Sequence, residues 1–100
     1  GKEPTLFLRD YLPLNPTLNR ETAVTRAETL YRNLMQLHID NGRKTYATAA
    51  YYCAILGEIA DYDGREAEFK QFYQNLLGRY PRHRALRREL AAKVKEEYAG

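Results

Sequence analysis

The chain has 100 residues, of which 44% are hydrophobic and 29% charged, with a formal net charge of +3; this length supports one domain, and the composition is that of a folded globule rather than a disordered or fibrous chain. It contains neither the roughly 20-residue apolar run that crosses a bilayer nor the basic-then-apolar start of a secretory signal, so no membrane association is expected and the cytoplasm is the default compartment. Its one cysteine, Cys53, excludes an intramolecular disulfide and, alone, a thiolate zinc site.

In chain order, the spacing of apolar residues predicts an all-α protein, a five-helix antiparallel bundle. Residues 4–12 form a short first helix with Leu6, Phe7 and Tyr11 facing inward and Pro4 tolerated in its first turn. Pro13 ends it. Pro13 and Pro16 disfavour helix in the residues before them, which makes 13–18 a linker pinned to the core by its leucines. Asn19 then suits an N-cap, and Glu21 complements the positive end of a long second helix. That helix carries Ala23, Ala27, Leu30, Tyr31, Leu34, Leu37 and His38 at helical spacing and stops at Asn41-Gly42.

A third helix is predicted over 44–61, with Tyr46, Ala49, Ala50, Cys53, Leu56 and Ile59/Ala60 on one face. Its tyrosines admit a strand, but Ala47, Ala49, Ala50 and Ala54 favour a helix. Asp61-Tyr62-Asp63-Gly64 is a stop and turn, after which a fourth helix over 65–79, carrying Phe69, Phe72, Tyr73, Leu76 and Leu77, runs back along the third. This hairpin, 46–81, is the stretch around which the chain is expected to be organised. Pro81 ends the fourth helix and starts a fifth, with Ala85, Leu86, Leu90, Val94 and Tyr98 as its apolar stripe. Short connections favour antiparallel neighbours.

The hairpin resembles a degenerate tetratricopeptide repeat, because Leu56-Gly57, Gly64, Tyr73 and Pro81 stand at places matching that consensus. Cys53 stands where the consensus has tryptophan. Ala60 and Phe69 stand where it has tyrosine and alanine, a size exchange across one helix contact that keeps the total volume. A second resemblance covers 46–92. The run Tyr46-x-x-Ala49-Ala50, then Leu56, Gly64, Phe69 and Tyr73, and finally Tyr80-Pro81-Arg82-His83-Arg84-Ala85-Leu86 resemble the C-terminal helical tail of bacterial SWIM-type zinc finger proteins. That resemblance implies a helical appendage to a zinc-binding, nucleic-acid- or protein-binding module. The family binds zinc through a separate Cys-x-Cys and Cys-x-His segment, which these 100 residues lack, so no zinc ligation carries over to any residue here. The glycines at both ends of the chain fit a single domain, 1–100, excised from a longer protein.

Arginines supply the main candidate site. Arg79, Arg82, Arg84, Arg87 and Arg88 fall within ten residues, with His83 among them, and on a helix starting near Arg82 the pairs Arg84/Arg87 and Arg84/Arg88 are neighbours. Guanidiniums so placed can clamp successive phosphates or an acidic protein surface, since each is a planar fork of donors. The alternative is a solvated face compensated by Glu89, Glu96 and Glu97, or by Asp61, Asp63, Glu66 and Glu68. Tyr51 and Tyr52 point in directions 100° apart, so at least one is expected to be exposed as an anchor for a base or a protein interface. His38 and His83 have no metal-binding neighbours in sequence, and Cys53 lies on an apolar face where a thiol is inert. No catalytic, metal or cofactor residue is assigned. The expected function is a non-catalytic interaction or accessory domain that binds a protein partner or the rest of its parent chain, with nucleic-acid binding through 79–88 as the alternative.

Overall fold

The computed structural model describes residues 20–99; the expected helix over 4–12, the 13–18 linker and the Asn19 cap lie outside the described residues. Among those described there are four helices and no strand: α1 Arg20–Asp40, α2 Tyr46–Asp63, α3 Glu66–Arg79 and α4 Arg84–Lys93, with 3-10 turns at Arg43–Thr45 and Glu96–Tyr98. None of these helices is long and apolar enough to cross a membrane.

The inward face of α1 is rotated from the expected one. Ala23, Val24, Ala27, Tyr31, Met35 and Ile39 are buried, whereas Leu30 and Leu37, which spacing alone turns inward, are 45% and 60% exposed. Apolar residues span a wide arc of this helix, so the partner selects the face. That partner is α2, whose Tyr52 ring lies 5.5 Å from Tyr31 and 5.7 Å from His38. Gly42, at φ 101°, makes the left-handed excursion that reverses the chain, and the Thr45 hydroxyl donates to the His38 carbonyl oxygen at 2.7 Å, tying the turn to the end of α1.

Helix α2 is the centre of the molecule. It buries Ala49, Ala50, Cys53, Ile55, Leu56, Gly57, Ile59 and Ala60, residues that spread over more than half of its circumference, as in a helix packed on several sides, while Ala47 and Tyr51 on the remaining side are exposed. Its most extensive packing is against α1 and then α4, with α3 touching it more lightly. The organising element is therefore α2 rather than the 46–81 hairpin. The hairpin's own contact is close but narrow: a Cβ on Gly57 would stand 3.1 Å from Cε2 of Phe69. The larger residue of the expected size exchange thus rests on a glycine. Ala60 lines a cleft beside it with Leu56 and Phe72.

The turn into α3 is set by hydrogen bonds. Gly64, at φ 71°, donates to the Asp61 oxygen at 3.4 Å, and Arg65 donates to the Ala60 oxygen at 2.8 Å, the paired pattern that ends a helix through a left-handed residue. After α3, the segment 80–83 turns the chain and α4 starts at Arg84, two residues later than expected. It buries Leu86 and Leu90 and ends at Lys93 because Val94 is extended, at φ −83° and ψ 141°. Tyr98 therefore does not continue the α4 stripe. It arrives in the second 3-10 turn with its ring edge-on to Phe69 at 4.7 Å, and its hydroxyl donates to Oδ1 of Asp61 at 2.8 Å. Lys95 pairs with the same carboxylate. Both contacts lie at the C-terminal end of α2, next to the helix against which α4 packs most.

Candidate functional site

The arginines gather where α3 passes into α4. Arg79 ends α3, with its guanidinium 5.6 Å from the centre of the Tyr80 ring. That ring is held from two sides: Gln36 Nε2 donates to the Tyr80 hydroxyl at 3.0 Å, and His83 meets the ring edge-on at 5.0 Å. Arg82 lies in the exposed turn. Arg84 opens α4, which has no acidic residue in its first turn and no side-chain cap at His83. Positive charge therefore sits at the positive end of a helix, which is electrostatically unfavourable in the isolated domain.

Arg84, Arg87, Arg88 and Ala91 follow the three-and-four spacing of one helix face. With Tyr73, Leu77 and Pro81 opposite and Ala99 at one end, they line an open groove of about 580 Å³. Arg87 is the fixed member. It is half-buried, and its Nη1 donates to the Leu77 oxygen at 2.7 Å, a carbonyl in the last turn of α3 that also accepts from the Tyr80 N–H at 3.2 Å. Tyr73 is buried below it. Burial, and secondarily Cys53, push the Tyr73 hydroxyl above the usual tyrosine pKa, with Arg87 opposing, so this hydroxyl stays protonated.

Among the described residues the carboxylates named as compensation form no ion pair with these arginines, and Asp61, Asp63, Glu68 and Glu89 are taken by other cations. Arg65 collects three of them: Nη2 lies 2.7 Å from Glu28, Nε donates to Asp63 at 2.6 Å and Nη1 reaches Glu68 at 3.2 Å. Its pKa is raised, chiefly by the hydrogen bond to Glu28. Glu89 faces Lys93 at 3.7 Å, and Asp61 holds Lys95 and Tyr98. Glu66 and Glu97 line a separate cleft with Asp61 and Lys70. Among the described residues no ion pair reaches Arg79, Arg82, Arg84 or Arg88.

Of the two candidate tyrosines, Tyr51 is the exposed one, at 52%. Tyr52 is half-buried against Tyr31, His38 and Tyr51. Neither joins the arginines: among the described residues the guanidinium–ring contacts are Arg32 over Phe72 and Arg79 over Tyr80. Cys53 is fully buried and its thiol is pushed up to about 12 by desolvation, the opposite of nucleophile activation. Among the described residues no group of three or more His, Cys, Asp or Glu side chains is placed to hold a metal ion.

Residue reasoning did not identify Tyr73, Leu77, Pro81 and Ala91 as groove lining or Arg65 as the hub that draws off the acids. The spacing of Arg84, Arg88 and Ala91 was legible as one helix face, but the opposite wall comes from α3 and depends on how the turn sets the two helices. Comparison with models of known protein families, with curated proteins and with solved structures finds no match to this chain.

Proposed function

We propose that the chain is a non-catalytic helical interaction domain that binds a protein partner, or another part of its parent chain, through the arginine groove between α3 and α4. The observation that carries this reading is the set of unpaired arginines facing an apolar wall: among the described residues Arg84 and Arg88 have no carboxylate partner, while Leu77 and Pro81 line the opposite side of the groove and Ala91 stands beside the arginines. Like charges held together without compensation repel, and an anionic partner relieves that repulsion. Gly57 against Phe69 and the Gly64 turn support reading α2 and α3 as a tetratricopeptide-like hairpin, and a helix from 4–12 would complete the five-helix bundle. The domain then serves as an accessory helical region of the kind the SWIM-type resemblance implies.

The test is a titration of the domain and its Arg84→Glu/Arg88→Glu variant with labelled single-stranded and duplex nucleic acid, at low and near-physiological salt. On the protein-binding reading, nucleic-acid association is weak and disappears at near-physiological salt. Binding that persists there, is lost in the variant, and weakens with a log–log slope of about −0.9 per duplex phosphate contact would establish the nucleic-acid alternative instead.

A further inference from the structure

We propose that the occupant of the α3–α4 groove is a short acidic amphipathic segment of a protein, with carboxylates on the arginine wall and one large apolar side chain against the facing wall of Leu77 and Pro81; this deepens the interaction-domain reading and rests on it. The α4 face from Arg84 to Ala91 covers two turns, about 10 Å, which matches two turns of a partner helix. Arg84 and Arg88 lie one turn apart, so they match two carboxylates placed four residues apart on that helix. Arg87 is already immobilised by its bond to the Leu77 oxygen, and its remaining N–H groups are offered without further loss of side-chain freedom.

The apolar lining decides the class of partner. Leu77 and Pro81 opposite the arginines, and Ala91 beside them, present apolar surface, and covering it with a Phe or Leu side chain adds a hydrophobic contribution. A phosphodiester backbone has nothing apolar to place there. Among the described residues no acidic side chain lines the groove, which favours an anionic ligand. Its small size makes the complex weak and transient, below the area of a standard stable interface.

The experiment uses the full 100-residue chain and a helical peptide of about 14 residues carrying two Glu residues four apart with a Phe between them. Amide chemical-shift mapping and fluorescence anisotropy are read together. We expect shifts at Leu77, Arg88 and Ala91. Replacing both Glu residues by Gln, or the Phe by Ser, weakens binding by at least roughly tenfold, as do Arg84→Glu/Arg88→Glu and Ala91→Glu in the protein. The substituted protein positions are exposed, and unchanged circular dichroism checks that each variant folds. Equal binding by the Gln or the Ser peptide overturns the proposal, as does the absence of binding at any salt concentration. Shifts confined to the surface around Leu30, Leu37 and Tyr51 overturn the groove assignment while leaving the interaction-domain reading intact. Duplex DNA binding more tightly than the peptide at near-physiological salt, and lost in the charge-reversal variant, overturns both.

Discussion

Gly57 is the residue at which packing and propensity oppose each other most directly. Alanine there gains up to about 1 kcal/mol of helix propensity, but its Cβ stands 3.1 Å from the Phe69 ring. That ring has little room to yield, since it stacks on Tyr73 at 6.0 Å and meets Tyr98 edge-on at 4.7 Å. Overpacking a fixed ring costs about 1–3 kcal/mol, so Gly57→Ala is expected to destabilise by about 1 kcal/mol net, and Phe69→Leu in the same chain to recover part of the loss. Gly78 is the matched control. A Cβ there meets nothing within 4 Å, so Gly78→Ala should stabilise by up to about 1 kcal/mol; urea midpoints of the variants check both signs. Cys53 sets a pH dependence. Its thiol ionises near its ordinary 9.0 in the unfolded chain but only near 12 in the fold, so between these values the native state holds the extra proton. Stability is unaffected below pH 9 and then falls as pH rises, by about 1 kcal/mol at pH 10. Burial raises Tyr73 and Tyr98 in the same sense. Urea denaturation at pH 7 and pH 10 measures the fall, and Cys53→Ala should shrink it whatever it does to stability at pH 7.

Each helix boundary was legible where a residue with special backbone chemistry marks it, and drifted where tertiary contacts decide. Gly64 is the clear case: it adopts φ 71°, and its neighbours complete the two terminal hydrogen bonds. Gly64→Ala forces a Cβ into that region, with an expected loss of about 1 kcal/mol in the thermal or urea transition. At the end of α4 no such residue stands. The apolar spacing from Leu90 through Val94 to Tyr98 is consistent with a continuing helix, yet the chain extends at Val94. The turn allows Tyr98 to cover Phe69 and its hydroxyl to reach Asp61, contacts that a straight helix would point away from. The face of α1 has the same cause. Leu30 and Leu37 are as apolar as Met35 and Ile39, and only the position of α2 separates them.

At the scale of the molecule, the charge distribution is the feature with functional weight. Acids and Arg65 gather at the junction of α2 and α3, and Arg79, Arg82, Arg84, Arg87 and Arg88 gather at the opposite end of α3. Arg84→Glu/Arg88→Glu takes the formal net charge from +3 to −1, two units for each substitution. Because neither arginine forms an ion pair among the described residues and Arg84 opens α4, the change should leave the melting temperature equal or slightly higher, through relief of repulsion and, at position 84, a better match to the helix dipole. A fall of several degrees in a thermal melt would show instead that the two side chains hold the fold together. Breaking the Arg65 hub should have the contrary effect, since its partners Glu28, Asp63 and Glu68 join three separate parts of the chain.

The all-helical class, the four described helices and the turns at Gly42 and Gly64 followed from the sequence by itself, because apolar periodicity and left-handed glycines act over a few residues. The cluster of arginines was equally visible, since it is a matter of composition within one segment. Only the tertiary structure decided that α2 is the central helix, which side of α1 is buried, and that Tyr98 folds back on Phe69. It also decided that several acids are drawn to Arg65, Lys93 and Lys95, leaving Arg84 and Arg88 unpaired among the described residues and facing the apolar side chains of Leu77 and Pro81. Each of these depends on which surfaces meet across long separations in the chain, and that is settled by competition among many similar apolar and charged side chains rather than by any one of them.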